Sequence, residues 1–424
     1  MRQRRTLIGA SAMTSMLLLA ACGGGGGDTD TEPGSDGEAD GDQTLTVWSY
    51  FTTPGQISAL EEQNALFEAA YPEVTLESVT LPGDQVVQRL LSTATTQDGP
   101  DVVFDNVVVD FPTLAGSGVL YDMSSYWSEY EDAEQFPDNA TWEYEGGIYN
   151  VMSYTNLLGL YYNADALAEI GIEPPTTIEE FDTALNAVHE DGRYTPLALS
   201  GAPDVGTAWV TFPQLLGEGV DYCNITVEDT TEVFSRVESW ADSGIIPQDA
   251  ATWDQTDAWQ PFMTGNYAFA INGNWQLGGV PDADFEIGTT RYPAGSEGSH
   301  VFPGGEGIAI GEFSENPDLA WAYIETAFMS AEGSEINYEH SGQIPMRADV
   351  AENLDLGANE LVIPFVEAAA ETGTWPANEQ TGEMQLQFGQ AVSAVISGQS
   401  SGAEAAEAAV TAIEEAREAG GGGC

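Results

Sequence analysis

Apolar and polar side chains alternate along Thr44–Trp48 (TLTVW) and again along Val74–Leu81, and each run predicts a strand with one buried face. Between them, after a Pro54-Gly55 turn, Leu60, Leu66 and Phe67 fall on one side of a helical repeat from Ile57 to Tyr71. Gln85–Thr95 carries helical spacing too, and PDVVFDN at 100–106 reads as a buried strand ending in polar residues. Strand, helix, strand, helix, strand in this rhythm predicts an α/β unit with a largely parallel sheet. Ligands of such units sit beyond the carboxyl ends of strands, which nominates Ser49, Tyr50, Phe51, Asp105 and Asn106.

The middle of the chain changes pattern. Ile148–Tyr154 and Leu157–Tyr161 are β-branched or aromatic runs, with Asn156 between them and Asn163 closing the second. Asp165 then precedes a helical segment stopped at Gly171, with Pro174 and Pro175 beyond, and Thr177 with Glu180 has capping-box spacing for the next helix. Later, Thr195–Ser200 reads as a strand and Ala208–Leu216 as an aromatic helix. Phe285–Pro293 and Gly304–Ile310 follow, the latter as a strand returning to the first unit. Pro317–Phe328 is amphipathic, and Glu383–Ser397 and Ala403–Ala419 predict two closing helices, the second Ala-rich with strong intrinsic propensity.

Residues 142–181, WEYEGGIYNVMSYTNLLGLYYNADALAEIGIEPPTTIEEF, resemble the hinge region of the extracellular solute-binding proteins of ABC importers, sugar-binding (family 1) type. The matching positions include Tyr144, Gly147, Ile148, Tyr149, Tyr154, Asn156, Tyr161, Tyr162, Asn163, Gly171, Pro174, Pro175 and Phe181. PDVV at 100–103, LAGSGVLYD at 114–122, FMTGNYAFAINGNW at 262–275 and GQIPMR at 342–347 match further family segments, so the resemblance spans about 44–418. It implies an α/β, two-lobed periplasmic-binding-protein-like fold (type II), each lobe a mostly parallel sheet flanked by helices, joined by a hinge. The lobes are expected at 44–152 with 311–352 and at 153–310 with 353–420, followed by a tail at 421–424. The implied function is capture of a sugar, mono- or oligosaccharide, by hinge closure and delivery to ABC permease transmembrane subunits. A monomer with no cofactor and no catalytic role is expected.

A sugar presents hydroxyl rims and weakly apolar ring faces, so its site needs aromatic platforms beside hydrogen-bonding side chains. By family position Trp209, Trp275 and Trp375 are the stacking candidates. Asp105, Asn106, Asn156 and Glu306 are the hydroxyl partners, and Tyr50, Phe51 and Tyr154 complete the set. Arg347, in the GQIPMR turn, either meets ligand or ties the turn by a salt bridge. Two other readings stay open. An aromatic cage holds a cationic osmolyte such as glycine betaine by cation–π attraction, and a secreted glycoside hydrolase also combines aromatics with two carboxyls, about 5–9.5 Å apart. Gly398-Gln399-Ser400-Ser401-Gly402 fits G-x-S-x-G but joins two predicted helices, with no His after it, where the nucleophile elbow needs a preceding strand. His189, His300 and His340 are scattered and neither HExxH nor CxxC occurs, so no metal site is expected.

Composition alters the picture at one point. Nine basic residues, all Arg, face 69 acidic ones, for a net charge of −60 over 424 residues. That excludes nucleic acid as a partner, because a phosphate backbone needs basic neutralisation, and argues against phosphate, sulfate or uronate ligands. Self-repulsion at this level favours a high-salt habitat, where the Debye length falls to roughly 3 Å at 1 M; a low-pH habitat is the alternative. Arg2, Arg4 and Arg5 before the apolar run to Leu19 form a signal peptide at 1–21, and Leu19-Ala20-Ala21-Cys22 resembles a lipoprotein box that anchors Cys22 to the outer face of the membrane. Residues 22–43 are an acidic, Gly-rich tether. Cys223 and Cys424 either pair or stay free, which sequence alone leaves open, and Cys424 after four glycines is expected to fray.

Overall fold

The computed structural model describes residues 43–424 except 358 and 377, so the signal peptide, Cys22 and almost all of the tether lie outside the described residues. The strands in chain order are β1 (Gln43–Ser49), β2 (Val74–Thr80), β3 (Val102–Asn106), β4 (Thr141–Tyr144), β5 (Gly147–Val151) and β6 (Tyr154–Thr155). They continue with β7 (Leu158–Asn163), β8 (Thr195–Ala198), β9 (Tyr267–Gly273), β10 (Ile287–Arg291), β11 (Glu306–Ile310) and β12 (Ile344–Pro345). One lobe is built on a six-stranded sheet in the order β2-β1-β3-β11-β5-β4, the other on a four-stranded sheet in the order β10-β7-β9-β8.

Period-two alternation explains how the first sheet is filled. Leu45 and Val47 of β1, Val102 and Phe104 of β3, and Ile308 and Ile310 of β11 enter one core with Phe67, Tyr323 and Phe328 from the helices outside. Val103 and Ala309, one residue out of phase, enter the core on the opposite face with Leu90 and Leu114. Both faces are therefore covered, and Val102–Phe104 of β3 and Ile308–Ile310 of β11 are apolar on both sides.

Two expectations change. The sheets are mixed and not mostly parallel: β1 is parallel to β2 and β3, but β11 meets β3 and β5 antiparallel, and β10–β7–β9 is antiparallel throughout. A parallel neighbour needs a crossover helix to bring the chain back to the same end; β11 instead arrives directly from the second lobe and enters from the opposite end. Glu306–Ile310 lies in the first sheet, as read for the strand returning to the first unit, so the expected lobe boundary after 310 moves ahead of Glu306. The chain crosses at β6, at Gly304 and at β12: β6 pairs with β12, and Asn156 exchanges backbone hydrogen bonds with Gly304 (2.8 and 2.9 Å).

Short polar caps set the helices that reach the space between the lobes. Thr53 caps Pro54–Ala70, Asp204 caps Val205–Thr211 and Asp254 caps Gln255–Pro261, each accepting from a backbone N–H three residues on. Ser401 with Glu404 forms a capping box opening Gly402–Ala419, so the G-x-S-x-G stretch joins two helices. Cys424 is not frayed: it forms a disulfide with Cys223, with Cα atoms 5.8 Å apart, and Asn378 Nδ2 donates to the Gly423 carbonyl. No helix among the described residues is long and apolar enough to cross a membrane.

Candidate functional site

The carboxyl ends of β1 and β3 and the start of β11 converge on a cavity of about 210 Å³ between the two lobes. From the first lobe come Tyr50, Thr52 and Thr53 after β1, Gln56 in the first turn of Pro54–Ala70, and Asn106 at the end of β3. The crossings contribute Asn156, Gly305 and Glu306. Facing them are Val205, Gly206 and Trp209 of one capped helix, Gln255 and Thr256 of another, and Trp275 after β9.

Gly304 and Gly305 make this convergence possible. A Cβ on Gly304 would collide with the Trp209 ring and Asn156 Oδ1, so only glycine lets the indole lie flat against the crossing chain. Gly305 has φ +153°, a backbone conformation that L side chains rarely adopt, and it turns the chain so that Glu306 enters β11 facing the cavity. On the far side Trp209 is fixed by donating its Nε1–H to Gln385 Oε1 at 2.7 Å.

Glu306 is the one carboxylate among the cavity-lining residues, and it is buried. Tyr154 donates its hydroxyl to Glu306 Oε2 at 2.6 Å, and Tyr50 reaches Oε1 at 3.4 Å. Burial pushes the Glu306 carboxyl above the usual carboxylate range, and the two tyrosine hydroxyls oppose that shift. The same burial, together with the nearby Glu306 charge, holds the Tyr50 and Tyr154 phenols well above their ordinary value, so both remain donors. Gln56, Gln255 and Asn156 add amides that donate and accept; Thr53 Oγ1 donates to Gln56 Oε1 at 2.8 Å and orients it.

Six expected ligand contacts line the cavity: Tyr50, Asn106, Asn156, Trp209, Trp275 and Glu306. Five do not. Phe51 is buried in the first core against Phe104, at 5.0 Å between rings. Asp105 is fully buried and accepts from Asn150 Nδ2 at 3.2 and 3.0 Å, because strand alternation turns it away from the face Asn106 presents. Tyr154 stands behind Glu306 as its donor. Arg347 ties its turn, donating to Asp349, Asp132, the Met329 carbonyl and Tyr130 Oη. Trp375 stacks on Phe302 at 3.9 Å and donates to the Pro303 carbonyl, one ring removed from the cavity. Ser49, also nominated, is fully buried.

Sequence reasoning missed Thr52, Thr53, Gln56, Val205, Gly206, Gln255, Thr256 and Gly305. A signal existed for the first three, since Thr53-Pro54 marks a helix start directly after a strand. Gln255 and Thr256 have no comparable signal, because their place depends on how the second lobe folds back over the first.

A cleft between two α/β lobes, crossed by the chain at three points and walled by aromatics, amides, hydroxyls and the single carboxyl of Glu306, defines a ligand-clasping receptor. The chain belongs to the bacterial extracellular solute-binding proteins, whose family model matches residues 62–363. It is similar to the diacetylchitobiose binding protein DasA of Streptomyces coelicolor, at 26% identity over 344 residues, covering 76% of this chain and 78% of that one. The multiple sugar-binding protein of Streptococcus mutans is 24% identical over 330 residues, covering 72% and 73%. Among solved structures, the GacH receptor of Streptomyces glaucescens, described unliganded and with acarbose, superposes with TM-score 0.78 at 25% identity, covering 89% of this chain and 99% of that one.

Proposed function

We propose that this protein is the extracellular receptor of an ABC importer and captures a sugar by closing its lobes. The observation that carries the reading is the cavity itself: Tyr50, Trp209 and Trp275 offer ring faces while Gln56, Asn106, Asn156, Gln255 and Glu306 offer donors and acceptors, and no lining residue is basic. Among the described residues Arg193, Arg236, Arg291 and Arg347 pair with carboxylates instead. Relatives whose names refer to diacetylchitobiose and to multiple sugars support the same class of ligand. Ligand bridging both walls favours the closed arrangement by its differential contacts, so it shifts an existing equilibrium. Retaining or inverting hydrolysis uses a carboxyl pair, and the single lining carboxylate of Glu306 supports a receptor over a hydrolase.

The rest of the reading extends the sequence argument. The chain is exported, anchored through acylated Cys22, held off the membrane by the acidic tether, and works as a monomer beside its permease. Its acidic surface is an adaptation to salt. A second ligand class is favoured by one observation: a buried carboxylate beside Tyr50 and two tryptophans also suits a quaternary ammonium such as glycine betaine.

Thermal melting in molar salt against mono- and oligosaccharides, betaines and amino acids tests the proposal. A ligand at 100 times its Kd adds about 2.7 kcal/mol, which a melting shift reads directly. A shift with a sugar, reduced by about 1 kcal/mol in Trp275→Ala, is expected. A shift with betaine alone would transfer the site to the osmolyte, and release of product from an aryl glycoside would revive the hydrolase.

A further inference from the structure

After the helix Gly402–Ala419 the chain turns back on itself. Gly421 and Gly422 take φ of +89° and +73°, a conformation L side chains rarely adopt, and the turn returns Cys424 to Cys223. Gly420 lies so close to Asn378 that a Cβ there would collide with its Oδ1. Arg417, one of only nine basic residues in the chain, donates from Nη1 to the Cys223 carbonyl at 2.7 Å. Asn378 is buried and donates through Nδ2 to the Arg417 carbonyl at 3.0 Å and the Gly423 carbonyl at 3.1 Å. A disulfide, an arginine and a buried amide thus converge on residues 417–424.

Each side of the disulfide leads to Trp209 in the cavity wall. Next to Cys223, the buried Tyr222 ring lies nearly parallel to Phe302 and Trp375, with centroids 5.8 and 6.3 Å away, and Trp375 meets Trp209 at 5.4 Å. Next to Cys424, Gly423 accepts from Asn378, whose own carbonyl accepts from Thr381 Oγ1 at 2.7 Å. The Thr381 carbonyl in turn accepts from Gln385 Nε2 at 3.3 Å, and Gln385 Oε1 accepts the Trp209 Nε1–H at 2.7 Å. One route ends against the Trp209 ring and the other at its single hydrogen-bonding atom. Every intervening side chain is buried or half-buried, and packed interiors of this kind pass a displacement on to their neighbours.

Resting on the cavity being the ligand site, we propose that the stapled C-terminal tail is a positioning element of that site: the Cys223–Cys424 disulfide and Asn378 set the place of Trp209, and with it the affinity for ligand. None of the three lines the cavity, so each acts through Trp209. The disulfide also closes a loop between residues 201 apart in sequence, which restricts the unfolded chain and adds stability whatever else it does. Melting temperature therefore does not separate the two roles; the geometry of the Trp209 ring and the affinity do.

The test compares the full-length chain with its Cys223→Ser/Cys424→Ser double variant in molar salt, well below either melting temperature. The near-ultraviolet circular dichroism of the protein minus that of Trp209→Phe gives the signal of this one ring. Taken in the double-serine background, the same difference is expected to be lost. Calorimetric titration with diacetylchitobiose and with maltotriose is expected to show affinity lowered about fivefold in the double variant. A retained Trp209 signal, or an unchanged affinity, overturns the proposal and leaves the disulfide a stabilising device alone. If neither sugar binds the wild-type protein, the sugar reading fails, and the Trp209 signal by itself decides the positioning. Should the double variant not fold, Asn378→Ala decides by the same two readouts, since it keeps the disulfide while freeing the segment at 378 from the tail.

Discussion

Asp105 and Glu306 sit on neighbouring strands, Glu306 paired with Asn106 and Gly307 with Asp105, yet they do opposite work. Both are buried acids whose carboxyls are pushed above the usual range by loss of water. Asp105 faces inward and is closed off by the Asn150 amide. Glu306 faces the cavity, and the groups that hold it, Tyr50 and Tyr154, leave it able to meet a ligand. One residue of register separates a structural acid from a site acid. The deciding feature is the pair Gly304-Gly305, which sets the phase with which β11 enters the sheet.

Breaking Glu306 is expected to show the largest effect. Glu306→Ala should weaken ligand binding by about 2–3 kcal/mol, as for loss of hydrogen bonds to a charged group, with a smaller change in melting temperature, because removal of a buried carboxyl offsets the acceptor that the Tyr154 and Tyr50 hydroxyls lose. Titration calorimetry beside a melt separates the two readouts, and a stability loss with unchanged affinity would reverse the roles of the two acids. Asp105→Ala should do the converse. It leaves the Asn150 amide without its acceptor at a cost of about 2 kcal/mol in denaturant unfolding, while the folded fraction binds ligand as before.

Trp275→Ala sharpens the contrast from the opposite wall. Losing one stacking face should cost about 1 kcal/mol of affinity, and the melting temperature of the unliganded protein should move little, since the ring is only half-buried. Arg347→Met offers the matching control: it removes ties to Asp132 and Asp349 and should lower stability without touching affinity.

The smallest effect is the pH dependence. Asp105, Asp110 and Glu306 all have carboxyls raised in the folded protein, Asp110 to about 6, mainly by burial. The folded state therefore binds more protons than the unfolded state, and stability should rise as pH falls from about 6 toward the ordinary carboxylate value of about 4. Asp191, Asp349 and Glu371 behave oppositely: their arginine partners hold them low, so their contribution is lost as pH falls below about 4. A melting-temperature maximum near pH 4 is expected. A monotonic fall on acidification from pH 7 would show that the inward-facing acids do not govern the trend.

Much of this was legible in the chain. Alternation in TLTVW and the apolar run in PDVVFDN located β1 and β3, the resemblance around 142–181 marked the hinge, and Trp275 was placed from the family signature at 262–275. Local spacing suffices there because strand period, caps and turns are set by near neighbours. The capping of Ile178–Asp191 shows the limit even locally. Thr177 caps it as its spacing indicated, but the Glu180 carboxylate reaches Thr176 and not Thr177.

What only the tertiary structure decided is which polar groups meet. Sequence alone determined one α/β unit and a supply of aromatic and amide side chains, and the family resemblance implied the second unit and the hinge. It left open that Asp105 and Arg347 turn inward, that Cys223 reaches Cys424 across 201 residues, and that Gln255 and Thr256 come opposite Gln56. Those outcomes depend on how two sheets joined by three crossings are set against each other, and on which side chains that packing takes out of water. Spacing along the chain carries no record of that burial.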